Sequence, residues 1–571
     1  MKKRRPLGVE RLEDRCTPAH FGVAWPDAQH LTISFVPDGT PVGTDRSTLF
    51  QSLNATTSQA TWQREILRAF QTWAVNANIN LGLVADGGQA LGATAPYQGD
   101  ARFGDVRVAA APTDASAAAL AIPFDVTAGS WAGDLRFNSG ASFGTNGQGA
   151  YDVFTVALHE AGHVLGLDGN SDSTSALDDT YTGPRTGLSA ADVSALQALY
   201  GKRTTDLFDT QAPNDTRDRA TQLQFPISNG NLSPANAIGD ITTLQDVDWY
   251  KFQANNVVGG ITLTLHTSGI SLLVPRLGVY DANGNLISSI VASDPLSGDL
   301  SVRLDKITVG ANYFVKVESG SSDVFGIGSY RLEIHPDNAV APPAAPALVN
   351  SDAHTNDVIG KATDLRQSTY QTDARFNYTI QASIEDANDV DFYHVHAPQV
   401  ANNGTTVMTA MVWASQANTL LPKIQLFDAS QHPIAFDVLV NENGAYVVQV
   451  AKAATNQDYY VEVSAADPAG ANNTGNYFLG VDFGPTATSL QTLSSGTITN
   501  ADHQHLGTLT VNQGQLFHFT FSASTGGAAI QSAIRMTIYD TKGNVVYSGV
   551  AHDGETISTT LFLGAGTYTF R

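Results

Sequence analysis

The block Asp246-Val247-Asp248-Trp249-Tyr250 returns 143 residues later as Asp389-Val390-Asp391-Phe392-Tyr393, and much of its surroundings returns with it. Asn214-Asp215 with Ala220-Thr221 and Leu223 recurs as Asn356-Asp357 with Ala362-Thr363 and Leu365, and Val279-Tyr280-Asp281-Ala282 as Leu426-Phe427-Asp428-Ala429. The repeated stretches are short β-runs punctuated by Asn, Asp and Gly, so the chain beyond Asp206 is expected to be a row of β modules. A third, weaker copy carries Ile538-Tyr539-Asp540-Thr541-Lys542-Gly543-Asn544 and Gly566-Thr567-Tyr568-Thr569-Phe570. The chain stops inside that final strand, so the last copy reads as truncated, with an open edge. Ala341-Pro342-Pro343-Ala344-Ala345-Pro346 reads as a semi-rigid linker between the first two copies.

Residues before Asp206 have a different texture. Leu31-Thr32-Ile33-Ser34-Phe35-Val36 alternates like a half-buried strand and ends at Pro37-Asp38-Gly39. Trp62, Ile66, Phe70 and Trp73 follow at spacings of three and four, which predicts a helix with one apolar stripe. Strands are expected at 105–108 and 133–138, then a helix beginning near Tyr151. Ser189-Ala190-Ala191-Asp192 is a capping-box-like start for a last helix, with Val193, Leu196, Leu199 and Tyr200 on one face and Gly201 at its end. At 571 residues the chain exceeds one hydrophobic core. Its 42% hydrophobic and 15% charged residues suit folded domains.

The sharpest chemical signal is Ala157-Leu158-His159-Glu160-Ala161-Gly162-His163-Val164-Leu165-Gly166-Leu167-Asp168. Positions four apart on a helix lie one above the other, so His159 and His163 can present their imidazoles to one zinc ion. Glu160 beside them can take a proton from a water whose pKa the metal has lowered and return it to the leaving amine of a cut peptide. Two buried, satisfied histidines are the bland alternative.

This motif, the turn at Gly166 and the stretch Tyr181-Thr182-Gly183-Pro184-Arg185-Thr186-Gly187-Leu188-Ser189 resemble the matrixins, a metzincin family of zinc metalloendopeptidases, over residues 21–202. The resemblance implies an α+β catalytic domain whose third zinc ligand is a His ten residues after the first. This sequence has Gly169 there. Asp168 and Asp172 are the candidate replacements, and each could equally serve as a turn or capping residue. The Met that underlies the metal in that family is replaced within Ser175-Ala176-Leu177-Asp178, where Leu177 or its neighbour offers an apolar floor. The repeats resemble the bacterial pre-peptidase C-terminal domain, a β-sandwich appended to secreted hydrolases. Their paired Asp residues organise a turn while the aromatics fill a core, or else they bind calcium or another ligand.

The N-terminus bounds export. Met1-Lys2-Lys3-Arg4-Arg5 starts like a signal peptide, yet no apolar h-region follows. Leu12-Glu13-Asp14-Arg15-Cys16-Thr17-Pro18 resembles a short element on exported bacterial surface proteins. The single cysteine, Cys16, excludes an intramolecular disulfide. It belongs to that leader, or its thiolate blocks the zinc before processing. A formal charge of −23 disfavours nucleic acid and leaves spare carboxylates for calcium. No apolar run is long enough for a membrane span.

Together these readings give a multidomain chain: a leader at 1–20, a matrixin-like α+β domain at 21–202, and two to three all-β sandwiches at 207–336, 350–484 and 488–571. The expected function is a secreted or surface zinc metalloendopeptidase acting on polypeptide. Its metal would be held by His159 and His163, with Glu160 catalytic. The alternative is an inactive homologue whose sandwiches serve as a surface scaffold contacting an extracellular polymer or partner.

Overall fold

The computed structural model describes residues 21–113, 117–145, 149–210, 213–228, 231–339, 348–365, 376–399, 404–416, 419–442, 444–499, 504–524 and 533–571. The leader with Cys16 and the linker at 341–346 lie outside them.

The N-terminal unit is a five-stranded sheet with helices packed against it. Its strands are β1 (Leu31–Phe35), β2 (Leu81–Leu83), β3 (Val106–Ala111), β4 (Ala119–Ala121) and β5 (Leu135–Asn138), in the order β2-β1-β3-β5-β4. All neighbours are parallel except β4, which runs antiparallel to β5 with Ala119 opposite Phe137. The half-buried alternation expected of β1 is mostly lost, since four of its five residues are buried. The reason is position: β1 lies inside the sheet between β2 and β3, and interior parallel strands are covered on both faces. All six residues of β3 are buried for the same reason.

Three long helices complete this unit. Helix α1 (Gln59–Ala74) is capped by the Ser58 hydroxyl, and its expected stripe of Trp62, Ile66, Phe70 and Trp73 is fully buried. Helix α2 (Val153–Val164) packs along α1. Helix α3 (Ala190–Tyr200) starts in the Ser189 and Asp192 capping box and stops at Gly201.

Beyond Asp206 the described residues form strands joined by loops, with only short helical turns. In the first repeat a five-stranded sheet contains Val247–Gln253 paired antiparallel with Asn312–Ser319, and a four-stranded sheet contains Ala235–Ile241, Gly328–Pro336 and Ile261–His266. The second repeat has corresponding four- and five-stranded sheets, with Val390–His396 paired to Asp458–Ala465. Strands such as Val247–Gln253 and Val390–His396 alternate in burial, as strands with one core face must. The repeated tyrosines enter the cores. Tyr250 and Tyr393 are buried, and their hydroxyls meet those of Tyr330 and Tyr477 at 2.7 and 2.6 Å. In the last region Gly566–Phe570 pairs antiparallel with Gly507–Val511.

The N-terminal unit and the first repeat share one continuous apolar core. Polar contacts flank it. The Gln71 side chain of α1 donates to the carbonyls of Val324 (3.1 Å) and Ile327 (2.8 Å), and Arg64 pairs with Asp323 at 2.8 Å.

Candidate metal centre

Helix α2 carries the predicted residues, and its placement is fixed from both ends. Asp152 accepts from the N–H (2.9 Å) and hydroxyl (2.8 Å) of Thr155, which caps the free donors of the first turn. Its own N–H donates to the Tyr181 hydroxyl at 2.9 Å. At the other end the carbonyls of Val164 and Leu165 accept from the Trp25 indole (2.9 Å) and the Tyr200 hydroxyl (2.9 Å). Gly166 then turns the chain with φ +86°, and a Cβ there would meet the Val23 carbonyl oxygen at 2.3 Å, so only glycine fits. All twelve residues of α2 are buried.

His159 and His163 stand one turn apart with their Nε2 atoms 2.9 Å from each other and their rings nearly perpendicular at 88°. Nδ1 of His159 lies 3.0 Å from the Ala176 carbonyl oxygen, and Nδ1 of His163 lies 2.8 Å from that of Leu167. A carbonyl only accepts, so a proton on each Nδ1 satisfies both contacts and leaves the lone pair of each Nε2 toward its neighbour. Burial pushes the pKa of His159 well below its ordinary value, the adjacent imidazole adds to this, and Arg185 contributes a smaller push in the same direction. The ring is therefore neutral at neutral pH, as metal ligation requires. Two lone pairs facing each other at this distance repel, and a divalent cation between them converts the repulsion into ligation. The Nδ1 bonds to backbone carbonyls are the outer partners that fix the tautomer of a metal-binding histidine. His163 also lies in the last turn of α2, the negative end of the helix dipole, which favours a cation.

Glu160 is fully buried next to the pair. His159 and His163 are likewise at 0% exposure, and the Phe21 ring lies 5.4 Å from that of His163, so the centre is closed in this conformation. The residues at the third-ligand position lie further out. Gly169 is partly exposed, and Asp168 and Asp172 are exposed. Asp172 accepts from the N–H (2.9 Å) and hydroxyl (2.8 Å) of Thr174, bonds that hold its pKa below the ordinary carboxylate value and give it a turn-forming role. Among the described residues, no third His, Cys, Asp or Glu forms a metal-sized cluster with both imidazoles.

The floor of the centre is the loop through Ser175, Ala176 and Leu177. A Cβ on Gly162 of α2 would lie 2.6 Å from Leu177 Cδ2 and 2.9 Å from Trp73 Cζ2, so Leu177 packs directly against the helix that carries both histidines. Asp192 holds this loop in place. Besides closing the capping box it accepts from the Ser175 hydroxyl (2.5 Å) and the Ala176 N–H (2.9 Å), on the residue whose carbonyl orients His159. Sequence reasoning identified Asp192 as a cap and missed this second duty, because nothing local in the sequence announces a bond to a residue sixteen positions away.

Residues 47–201 match the family model described as matrixin. Karilysin of Tannerella forsythia is 28% identical over 154 residues, which are 25% of this chain and 30% of that protein. Neutrophil collagenase of Homo sapiens is 32% identical over 147 residues, 25% and 30% of the respective chains. Interstitial collagenase of Bos taurus is 30% identical over 192 residues, 31% and 39% of the respective chains. The chain thus spans about a third of the length of these curated relatives. Zinc is the metal of this family, often with calcium, and the converging imidazoles fit it. The segment from residue 47 to residue 201, with four of the five strands, its three long helices and its paired histidines, is a matrixin domain.

Proposed function

We propose that this protein is a secreted or surface-attached zinc metalloendopeptidase, with β-sandwich modules of the pre-peptidase C-terminal type behind its catalytic domain. The observation that carries the reading is the convergence of the two Nε2 atoms, 2.9 Å apart, on rings each held from behind by a backbone carbonyl. His159 and His163 hold the zinc, which when bound supplies a Lewis acid that polarises the scissile carbonyl and makes water a better nucleophile. Glu160 removes the proton from the attacking water and delivers it to the departing amine. Its burial keeps bulk water from competing for that proton. Access for a polypeptide requires the segment bearing Phe21 to move off His163.

The β regions at 207–336, 350–484 and 488–571 read as three sandwiches that position the enzyme at a cell surface or on an extracellular polymer. No helix among the described residues is long and apolar enough to cross a membrane. A second reading, an inactive homologue acting as a surface scaffold, is favoured by one observation: position 169 supplies no ligand, and neither Asp168 nor Asp172 joins the imidazoles.

Zinc content of the purified chain, measured beside casein cleavage by the parent and by Glu160→Ala, separates the two. The enzyme reading expects stoichiometric zinc in both proteins and a loss of cleavage of about 10²- to 10⁴-fold in the variant, the usual worth of a general base. Metal-free protein that cleaves no better than the variant leaves the scaffold reading standing.

A further inference from the structure

Three parts of the chain meet around a cavity of about 270 Å³. The N-terminal unit supplies Tyr97, Ser130 and Trp131, the second repeat supplies Glu442 at the end of the strand Asp437–Glu442, and the last region supplies Tyr547 and Thr560. Small-molecule sites favour such junctions, and the volume is close to the lower end of their usual range of about 300–1,000 Å³. Thr94 on its rim is exposed, so the cavity reaches solvent.

We infer that this cavity binds a small organic cation, an alkylammonium of the kind carried by a free amine or by a lysine side chain, with its charge on the Glu442 carboxylate and its carbon chain against the rings of Tyr97, Trp131 and Tyr547.

The walls are built and fixed. The Tyr97 hydroxyl donates to the Val126 carbonyl at 2.6 Å, and its ring meets that of Trp413 edge-on at 5.6 Å, so the ring cannot turn away. A Cβ on Gly92 would lie 1.9 Å from Nε1 of Trp131, so the indole stands against bare backbone. A Cβ on Gly129 would lie 3.4 Å from Oε1 of Glu442, and the carboxylate too stands over bare backbone.

The charge of Glu442 is left without a counterpart. The Thr560 hydroxyl lies 3.4 Å from its Oε1, but the Thr127 carbonyl at 2.7 Å and Nδ1 of His518 at 2.9 Å are nearer partners for that single proton. Among the described residues no Lys, Arg or His pairs with it. Arg136 lies over the Phe562 ring at 4.8 Å, and the other nitrogen of His518 faces the Leu439 carbonyl at 2.7 Å. Burial pushes the Glu442 carboxyl up to about 7, against the weaker Thr560 contact. After burial itself, the Glu442 charge is the next cause that raises both Tyr97 and Tyr547, which sets it beside both rings, and Asp125 adds a second negative charge at Tyr97.

These features select the class of ligand. One carboxylate among aromatic rings is a poor cage for a metal such as calcium, which takes six to eight oxygens. An organic cation suits it on both counts, since ring faces attract cations and the carboxylate makes a charge-assisted hydrogen bond. The Ser130 hydroxyl donates to the Ala93 carbonyl at 2.5 Å, which leaves its oxygen as an acceptor for a further N–H of the ammonium.

The test titrates the full chain calorimetrically with butylammonium chloride, with Nα-acetyl-lysine amide and, as the uncharged control, with butanol, at pH 6 and pH 8.5. At pH 8.5 the parent should bind one equivalent of ammonium with a Kd of about 1 mM or tighter, and butanol at least tenfold more weakly. Affinity should rise about tenfold from pH 6 to pH 8.5, because Glu442 ionises in that interval while the ammonium stays charged. Burial moves His518 down and both tyrosines up, so Glu442→Gln should abolish the rise. That variant is the amide isostere of the protonated acid. It should melt like the parent at pH 6 and bind the ammonium at least about tenfold more weakly at pH 8.5. Tyr547→Leu should weaken binding about threefold or more, whereas Tyr547→Phe, which keeps the ring, should not. Tighter binding of the lysine derivative identifies a polypeptide side chain as the occupant, and tighter binding of butylammonium a free amine. A parent that binds neither better than butanol overturns the assignment, as does a folded Glu442→Gln that binds as tightly as the parent, or equal affinity in the two Tyr547 variants.

Discussion

Under the proposed function, position 169 is the residue expected to decide how firmly the zinc is held. Gly169 follows the turn at Gly166, in the place where the matrixin pattern has a third imidazole. On that reading two nitrogen ligands come from one helix, the remaining coordination falls to solvent or substrate, and affinity falls with it. Restoring the side chain by Gly169→His should strengthen zinc retention by at least about tenfold, since loss of even an outer partner of a ligand costs 10- to 100-fold. Competition with a chromogenic chelator measures this. Equal retention in parent and variant would mean that the loop after Gly166 does not bring residue 169 over the histidines. Asp172 does not compete for the role in this conformation, since it is committed to Thr174.

Helix α2 and the loop beneath it behave as one element. Gly162 permits Leu177 and Trp73 to touch the helix backbone, and Trp73 also donates to the Leu158 carbonyl at 2.8 Å. Gly162→Ala should therefore lose stability despite its better helix propensity, by about 1–3 kcal/mol of overpacking. That corresponds to roughly 2–4 °C in Tm per kcal/mol for a unit of this size. An unchanged melting temperature would show that Leu177 does not sit against the helix. The helices were legible in the sequence because their information is local: the His159 and His163 spacing, the Trp62 to Trp73 stripe, and the Ser189 cap each lie within a few turns. Leu177 was legible only as apolar volume near the expected place of a Met. What could not be read is what distant chain supplies, such as Trp25 and Tyr200 capping the end of α2 or Asp192 holding Ala176.

At the scale of the whole molecule, the N-terminal unit also contacts the later β regions. Glu442 lines a cavity of about 270 Å³ together with Tyr97 and Trp131 of the N-terminal unit and Tyr547 and Thr560 near the C-terminal end. Burial pushes this carboxyl up from 4.5 to about 7, against a weaker opposing bond from Thr560. A folded pKa above the unfolded one means stabilisation that is complete below about pH 4.5 and is lost as pH rises through about 7. Docking of the units should accordingly be tighter at pH 5 than at pH 8, read as slower limited proteolysis between them. Glu442→Gln should flatten that difference, and a variant that keeps the parent's pH slope would place the titrating group elsewhere.

Helix α1 has a double attachment. One face meets α2 through Trp73, and another grips the 323–327 segment of the first repeat through Arg64 and Gln71. A pull on the first repeat would reach the histidine-bearing rod through this helix, by way of the Arg64 and Gln71 contacts. Load applied to the first repeat would thus arrive at the helix that bears His159 and His163.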